Sequence, residues 1–193
     1  LGYFLGVLEK DMGLIRKENP VTELKKSKKT LYFINDNFFN FWFRFVYPNM
    51  SYLEIENSEP VVQSVKNNFT AFVGKAFEGM CREFLIEANL INKLPLSATN
   101  LGTWWNKQDE IDIVAFNKRT KDMLFCECKW KADVNPDPIV SDLRKKSGLV
   151  ELFKKDRKAY YAVFAKSFSK KSKESDVLLF DLHDMKQVFT KRG

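Results

Sequence analysis

The chain is poor in the residues that build transition-metal and redox sites: its 193 residues include one histidine and three cysteines. Cys81, Cys126 and Cys128 are odd in number and lack the spacing of a small disulfide scaffold, so reduced thiols in a cytoplasmic protein are the expectation. Together with His183 they make four zinc ligands on paper, but a C-x-C pair in a strand with one distant cysteine is not the C-x-x-C knuckle of structural zinc sites. Long apolar runs are also missing. The densest, FFNFWFRFVYP from Phe38 to Pro48, contains Asn40 and Arg44 and is too short to cross a bilayer. No signal peptide is visible, and no membrane partner is expected. No G-x-x-x-x-G-K-[ST] loop occurs, which leaves P-loop ATP chemistry outside these residues. An initiator methionine is absent and Leu1 lies within an apolar helical repeat, so the sequence reads as a piece of a longer polypeptide.

What the chain does have is core material and positive charge. Hydrophobic residues at 45% and aromatics at 15% are ample for a packed core and exclude a disordered chain. The length suits one domain, or one domain with part of another. An excess of 32 basic over 25 acidic residues gives +7 and a pI near 9.2, which favours a polyanionic partner without identifying it.

Leu1, Phe4, Leu5, Leu8 and Met12 fall at helical spacing before Gly13. A short strand, a basic loop from Lys25 to Lys29 and a second strand are then expected. Helix, strand, basic loop, strand is the order of the back half of a winged helix-turn-helix, with Lys28 and Lys29 at the wing tip as candidate nucleic-acid contacts. The alternative is a packing lobe, since the helix carries few side chains able to reach bases. From Asn37 to Tyr47 aromatics fall on nearly every side of an expected helix, which predicts burial all round and a stop at Pro48. The polar stretch to Pro60 reads as a connector.

A long helix is expected from about Pro60 to Asn89. Val62, Val65, Phe69, Phe72, Val73, Ala76, Phe77, Met80 and Phe84 give it a wide apolar face. A narrower stripe of Gly74, Glu78, Cys81, Leu85 and Ala88 runs beside that face, with Glu78 its only charge. Strands Ile111 to Phe116 and Met123 to Trp130 follow, then a helix from Ile139 to Phe153, a strand AYYAVFAK, a lysine- and serine-rich loop and a last strand VLLFDL.

The charges within the hairpin strands carry the chemistry. Side chains alternate along a strand, so Glu127 and Lys129 share one face while Cys126, Cys128 and Trp130 share the other. Asp112 should lie beside the end carrying Glu127, and Glu78 reaches the same spot if its helix crosses the sheet. Carboxylates held this close repel unless a hard cation sits between them, and oxygen ligands suit Mg²⁺ or Mn²⁺. With Lys129 orienting water or offsetting charge on phosphorus, the arrangement suits phosphodiester hydrolysis.

Asp112 followed by Glu127-Cys128-Lys129 resembles the D…(D/E)-x-K signature of the PD-(D/E)XK nuclease superfamily, although Ile111 stands where that name implies a proline. Glu78, within GKAFEGMCREFL, resembles the helix glutamate that many members add to the metal site. Across most of the chain, PVTELKKSKKTLYFINDNFFNFWFRFVYPN, FVGKAFEGMCREFL and WWNKQDEIDIVAFNK with LFCECKW resemble the C-terminal portion of archaeal-type P-loop ATPases. That portion is a winged-helix lobe followed by a domain of unknown function with a nuclease-like core.

These resemblances imply an α/β chain with a restriction-endonuclease-like αβββαβ core, a mixed sheet flanked by helices, preceded by a partial winged-helix lobe. The lobe is expected over residues 1–48, a connector over 49–60 and the nuclease-like domain over 61–193. Asp112, Glu127 and Lys129 are the implied catalytic residues, with Glu78, Asp112 and Glu127 holding Mg²⁺ or Mn²⁺. The implied partners are DNA and an ATPase domain preceding residue 1, to which ATP belongs. Lys145 and Lys146 are either phosphate contacts or a solvated helix face. Trp104 and Trp105 can stack on a base or, more simply, divide between core and sheet edge. Glu110 reads as an exposed neighbour of Ile111, and His183 as having no catalytic part. A catalytically inactive module that binds nucleic acid or a protein partner and regulates the ATPase is the alternative function.

Overall fold

The computed structural model describes residues 2–23 and 29–190. The chain divides into two compact units, one of residues 2–19 and 29–76 and one of residues 20–23 and 77–190. The division between these units falls within a helix, and residues 49–60 are the expected connector. That stretch is itself largely helical, and the helix after it contributes its first half to one unit and its second half to the other.

In the first unit α1 (Gly2–Gly6) continues through a π-helical turn (Val7–Asp11) to β1 (Ile15–Glu18), which pairs antiparallel with β2 (Leu31–Ile34). Gly13 makes the turn between helix and strand at φ 63°, a conformation that costs glycine little. Helix, strand, loop, strand is the expected order. Lys28 lies outside the described residues, and Lys29 is exposed.

α2 (Asn37–Phe41) starts where the Asp36 carboxylate accepts a hydrogen bond from the Phe39 N–H at 3.0 Å. Its path runs on through a π-helical turn (Trp42–Val46) and a 3-10 turn (Tyr47–Asn49) into α3 (Met50–Glu54). Pro48 thus does not end the helical path; it sits in the first turn of a new segment, where its missing N–H goes unused. Nor is this segment buried all round. Phe45 is its buried aromatic, while Phe38 and Tyr47 are 64% and 61% exposed. The rings instead cover one another at helical spacing, Phe39 on Phe43 at 6.3 Å and Phe43 on Tyr47 at 5.8 Å. Phe41 and Phe45 both pack on Phe72 of α4 (Glu59–Leu90).

The second unit is built on five strands: β3 (Asn100–Trp105), β4 (Glu110–Phe116), β5 (Met123–Lys129), β6 (Ala159–Ala165) and β7 (Val177–Phe180). They lie side by side in that order, antiparallel from β3 to β5 and parallel from β5 to β7, so the sheet is mixed. The parallel step from β5 to β6 needs a crossover, which α5 (Pro136–Ser147) provides. Asn135 caps α5 and Pro136 occupies its first turn. The helix stops at Ser147 rather than Phe153, because the Gly148 N–H closes on the last carbonyls and Arg157 then binds the Ser147 and Val150 carbonyls at 2.6 Å each. α6 (Leu182–Phe189) follows β7 behind an Asp181–Asp184 capping box.

One face of the sheet packs Phe77, Cys81, Phe84, Leu85 and Ala88 of α4, with Met185 and Val188 of α6, against Ile113, Leu124, Cys126 and Phe164. Leu143 of α5 joins Trp104, Ile111, Val114, Met123 and Phe125 in a separate core cluster. The sheet meets Cys81, Leu85 and Ala88 of the narrow stripe together with Phe77 and Phe84 from the edge of the wide apolar face, while Met80 of that face is exposed. Small side chains at Cys81 and Ala88 let the helix approach, and Phe77 and Phe84 flank that line. Among the described residues no helix is long and apolar enough to cross a membrane.

Phe84 touches three other rings, Phe164, Phe180 and Phe189. Phe84→Ala is expected to lower unfolding stability by about 3–5 kcal/mol in urea titrations followed by circular dichroism. The exposed Met80→Ala should change it by less than about 0.5 kcal/mol.

Candidate active site

The pairing of β4 with its neighbours breaks at one place. Gly102 faces Val114 and Trp104 faces Ile111, so two steps along β3 match three along β4. The extra residue is a bulge at Asp112 and Ile113, and beyond Ile113 the β4–β5 pairing ends. Its consequence is visible in the packing: Ile111 and Ile113, which a regular strand would put on one face, enter different core clusters. Where the ladder stops, the Asp112 carboxylate takes the place of a backbone acceptor and receives the Cys128 N–H at 2.8 Å.

Glu127 and Lys129 lie on the strand alternation opposite Cys126 and Cys128, as the pattern predicts. The Lys129 ammonium donates to Glu127 Oε1 at 2.7 Å. The second carboxylate oxygen, Oε2, is buried and has no hydrogen-bond partner among the described residues. Lys146 of α5 places its Nζ 3.7 Å from this oxygen and pairs also with Asp142 at 3.2 Å. Glu127 as a whole is only 8% exposed.

Burial is the main force raising the Asp112 carboxyl from 3.8 to about 7, and the charges of Glu127 and Glu78 push the same way. The Cys128 N–H and Lys129 oppose them without prevailing. Burial pulls the Lys129 amine down, but the hydrogen bond and charge of Glu127 outweigh it, so the amine is raised above its ordinary value. Lys146 is raised for a related reason, burial being outweighed chiefly by Glu127 and Asp142. Both amines are cationic at neutral pH.

The structure thus brings Asp112, Glu127 and Lys129 together. It sets Glu78, on the sheet-facing stripe of α4, close enough for its charge to act on Asp112. Among the described residues the acids do not form a ready three-ligand metal group. The donor set still suits Mg²⁺ or Mn²⁺: such ions take one or two carboxylates and complete their shell with water or phosphate, and Glu127 Oε2 is a buried acceptor with no donor. Asp112 and Glu127 would hold the ion.

Of the two helix lysines, Lys145 is exposed on α5 and Lys146 turns into the site. Trp104 is buried and Trp105 half-buried, the core-and-edge outcome, while Glu110 is exposed. Cys81, Cys126 and Cys128 gather on the opposite, α4 side, where the Cys81 contact and burial raise the Cys128 thiol and burial raises that of Cys126. His183 is exposed on α6 and pairs with the Gln187 side chain. Two elements of the site escaped sequence reasoning, the bulge at Asp112 and the Asp142 partner of Lys146. Only the second leaves a trace in the sequence, an acid four residues before a lysine on a helix.

A family model described as archaeal and bacterial proteins of unknown function, DUF234, matches residues 42–147 and so spans Glu78, Asp112, Glu127, Lys129 and Lys146. An uncharacterized protein of Methanocaldococcus jannaschii is 41% identical over 176 residues, which cover 90% of this chain. The chain spans 39% of the length of that relative.

The sign of the pH effect follows from Asp112. Between the unfolded carboxylate value near 4 and the folded value of about 7, the folded state keeps a proton that the unfolded chain has lost. Its contribution to stability is therefore complete below about pH 4 and lost as pH rises through about 7. In chelator, wild type should lose more melting temperature between about pH 5 and 8 than Asp112→Asn, which keeps an oxygen for the Cys128 N–H. Parallel melting curves for the two proteins would refute this assignment.

Proposed function

The chain belongs to the DUF234 family of archaeal and bacterial proteins, and from its site we propose that the second unit is a metal-dependent nuclease-type domain hydrolysing phosphodiester bonds of DNA. The observation that carries this reading is the meeting of Asp112, Glu127 and Lys129 at the β4 bulge, with a buried carboxylate oxygen left without a donor. The element order from α4 through three antiparallel strands and α5 to the parallel β6 supports a restriction-endonuclease-like core. In the first unit the order of α1, β1 and β2 supports a partial winged-helix lobe. The greater length of the relative, together with the resemblance to archaeal-type P-loop ATPases, supports a place as the C-terminal part of a larger ATPase, with ATP bound elsewhere.

In this reading Asp112 and Glu127 hold Mg²⁺ or Mn²⁺, and Glu78 adds negative charge behind them. The bound ion supplies Lewis-acid polarisation of a phosphoryl oxygen and a lowered pKa for water. Lys129 acts as a cation, not a base, because its amine is raised above its ordinary value. It orients the attacking water and offsets charge developing on the phosphorus. Asp112, raised to about 7, shares its site with a proton until a cation displaces it, so ion affinity should climb with pH.

A second reading, a nuclease-fold module without catalysis that binds nucleic acid or a protein and regulates the ATPase, draws on the two lysines already facing Glu127. Incubation with plasmid, single-stranded DNA and RNA, in Mg²⁺, Mn²⁺ or chelator, separates the two. Cleavage is expected with either metal and not in chelator. Asp112→Ala and Lys129→Ala should each lower the rate by about 100-fold or more. Intact substrates under every metal would favour the module.

A further inference from the structure

Main-chain hydrogen bonding continues past the ends of β5 and β6. Lys129 at the end of β5 is in register with Ala165 at the end of β6. The loops that follow keep pairing: Lys166 N–H donates to the Lys131 carbonyl at 2.8 Å, Val134 N–H to the Ser167 carbonyl at 3.0 Å and Ser169 N–H to the Val134 carbonyl at 3.0 Å. The Ser167 hydroxyl also accepts the Asp133 N–H at 2.9 Å. Val134 is buried beneath and bridges to Phe168, so the two loops form a ledge tied by main-chain hydrogen bonds.

The charge of this ledge has been sorted by the fold. Three nearby carboxylates are occupied: Asp137 by Lys170, and Glu174 and Asp176 by Arg144 at 2.6 and 2.9 Å. Lys131, Lys171 and Lys173 are exposed and make no ion pair among the described residues. Lys166 lies 4.5 Å over the Trp130 ring. Against these four lysines stands one further carboxylate, Asp133. No large apolar side chain of 131–135 or 166–176 is exposed, so the ledge lacks the aromatic or aliphatic anchor on which a protein partner would bind. Cations without an apolar anchor suit a phosphate backbone, whose recognition is electrostatic and independent of sequence. Lys131 stands two residues beyond Lys129, in a turn where its N–H donates to the Lys129 carbonyl at 2.7 Å.

We infer that this ledge is a nucleic-acid backbone site, with Lys131, Lys171 and Lys173 as its phosphate contacts. It rests on the reading of the second unit as acting on nucleic acid. Lys146 is committed to Glu127 and Asp142, while Lys131, Lys171 and Lys173 of the loops are exposed, as is Lys145 of the helix.

The test is the salt dependence of binding, measured by fluorescence anisotropy of a labelled duplex in chelator, so that no cleavage occurs. The variant Lys131→Ala/Lys171→Ala/Lys173→Ala should bind more weakly at low salt. Its plot of log affinity against log salt should be shallower by about one per lysine removed. Lys118→Ala, in the turn joining β4 and β5, should match wild type, and circular dichroism should show all three proteins folded. A triple variant with wild-type affinity and slope overturns the ledge, and leaves the nuclease reading standing if wild type cleaves. Salt-dependent binding lost in the triple variant supports the ledge even if no metal yields cleavage. Displacement of the duplex by poly-glutamate at equal charge concentration would assign the surface to acidic polypeptides and overturn the proposal.

Discussion

The site depends on the burial of two carboxylates at the point where the β4–β5 ladder comes apart. A buried charge is costly unless it is paired or hydrogen-bonded. Here compensation is partial: Asp112 has one backbone donor, and Glu127 has one ammonium in contact and a second at a longer distance. The remainder appears as a carboxyl raised to about 7 and an oxygen without a donor. The fold thus keeps two acids close together with compensation that its own side chains and backbone supply only in part.

The surrounding structure makes that arrangement possible. The bulge frees Asp112 from regular pairing and turns it toward the β5 backbone, while the aromatic clusters around Phe84 and Phe125 keep the sheet rigid on either side. α5 does two jobs through neighbouring residues: Leu143 seals a core and Lys146 faces the site. Cys126 and Cys128 alternate with Glu127 and Lys129, so one strand serves an apolar face and a charged face at once. Past its end the chain enters the loop of Lys131, which bonds to the loop after β6.

Much of this was legible in the residues. The alternation of Cys126, Glu127, Cys128 and Lys129 has a period of two, and that alone separates the faces. The stripe of Glu78, Cys81, Leu85 and Ala88 likewise named the face of α4 that meets the sheet. Where pattern misled, the cause was tertiary. Aromatic residues on all sides of 37–47 predicted burial, yet several rings cover one another and remain exposed. The apolar periodicity of 139–153 continued past Ser147, but Gly148 and Arg157 end the helix through backbone carbonyls that no side-chain pattern reports.

The sequence by itself determined the chemical types and their faces, because side-chain identity and strand or helix period are local properties. It also raised the expectation of a divalent cation, since like charges so placed repel. Only the tertiary structure decided which acid would lose its backbone partner, which lysine would face Glu127 and which would reach solvent. Those outcomes depend on a one-residue slip between β3 and β4 and on the crossover that lays α5 beside the end of β5. Both are set by contacts between residues far apart in the chain.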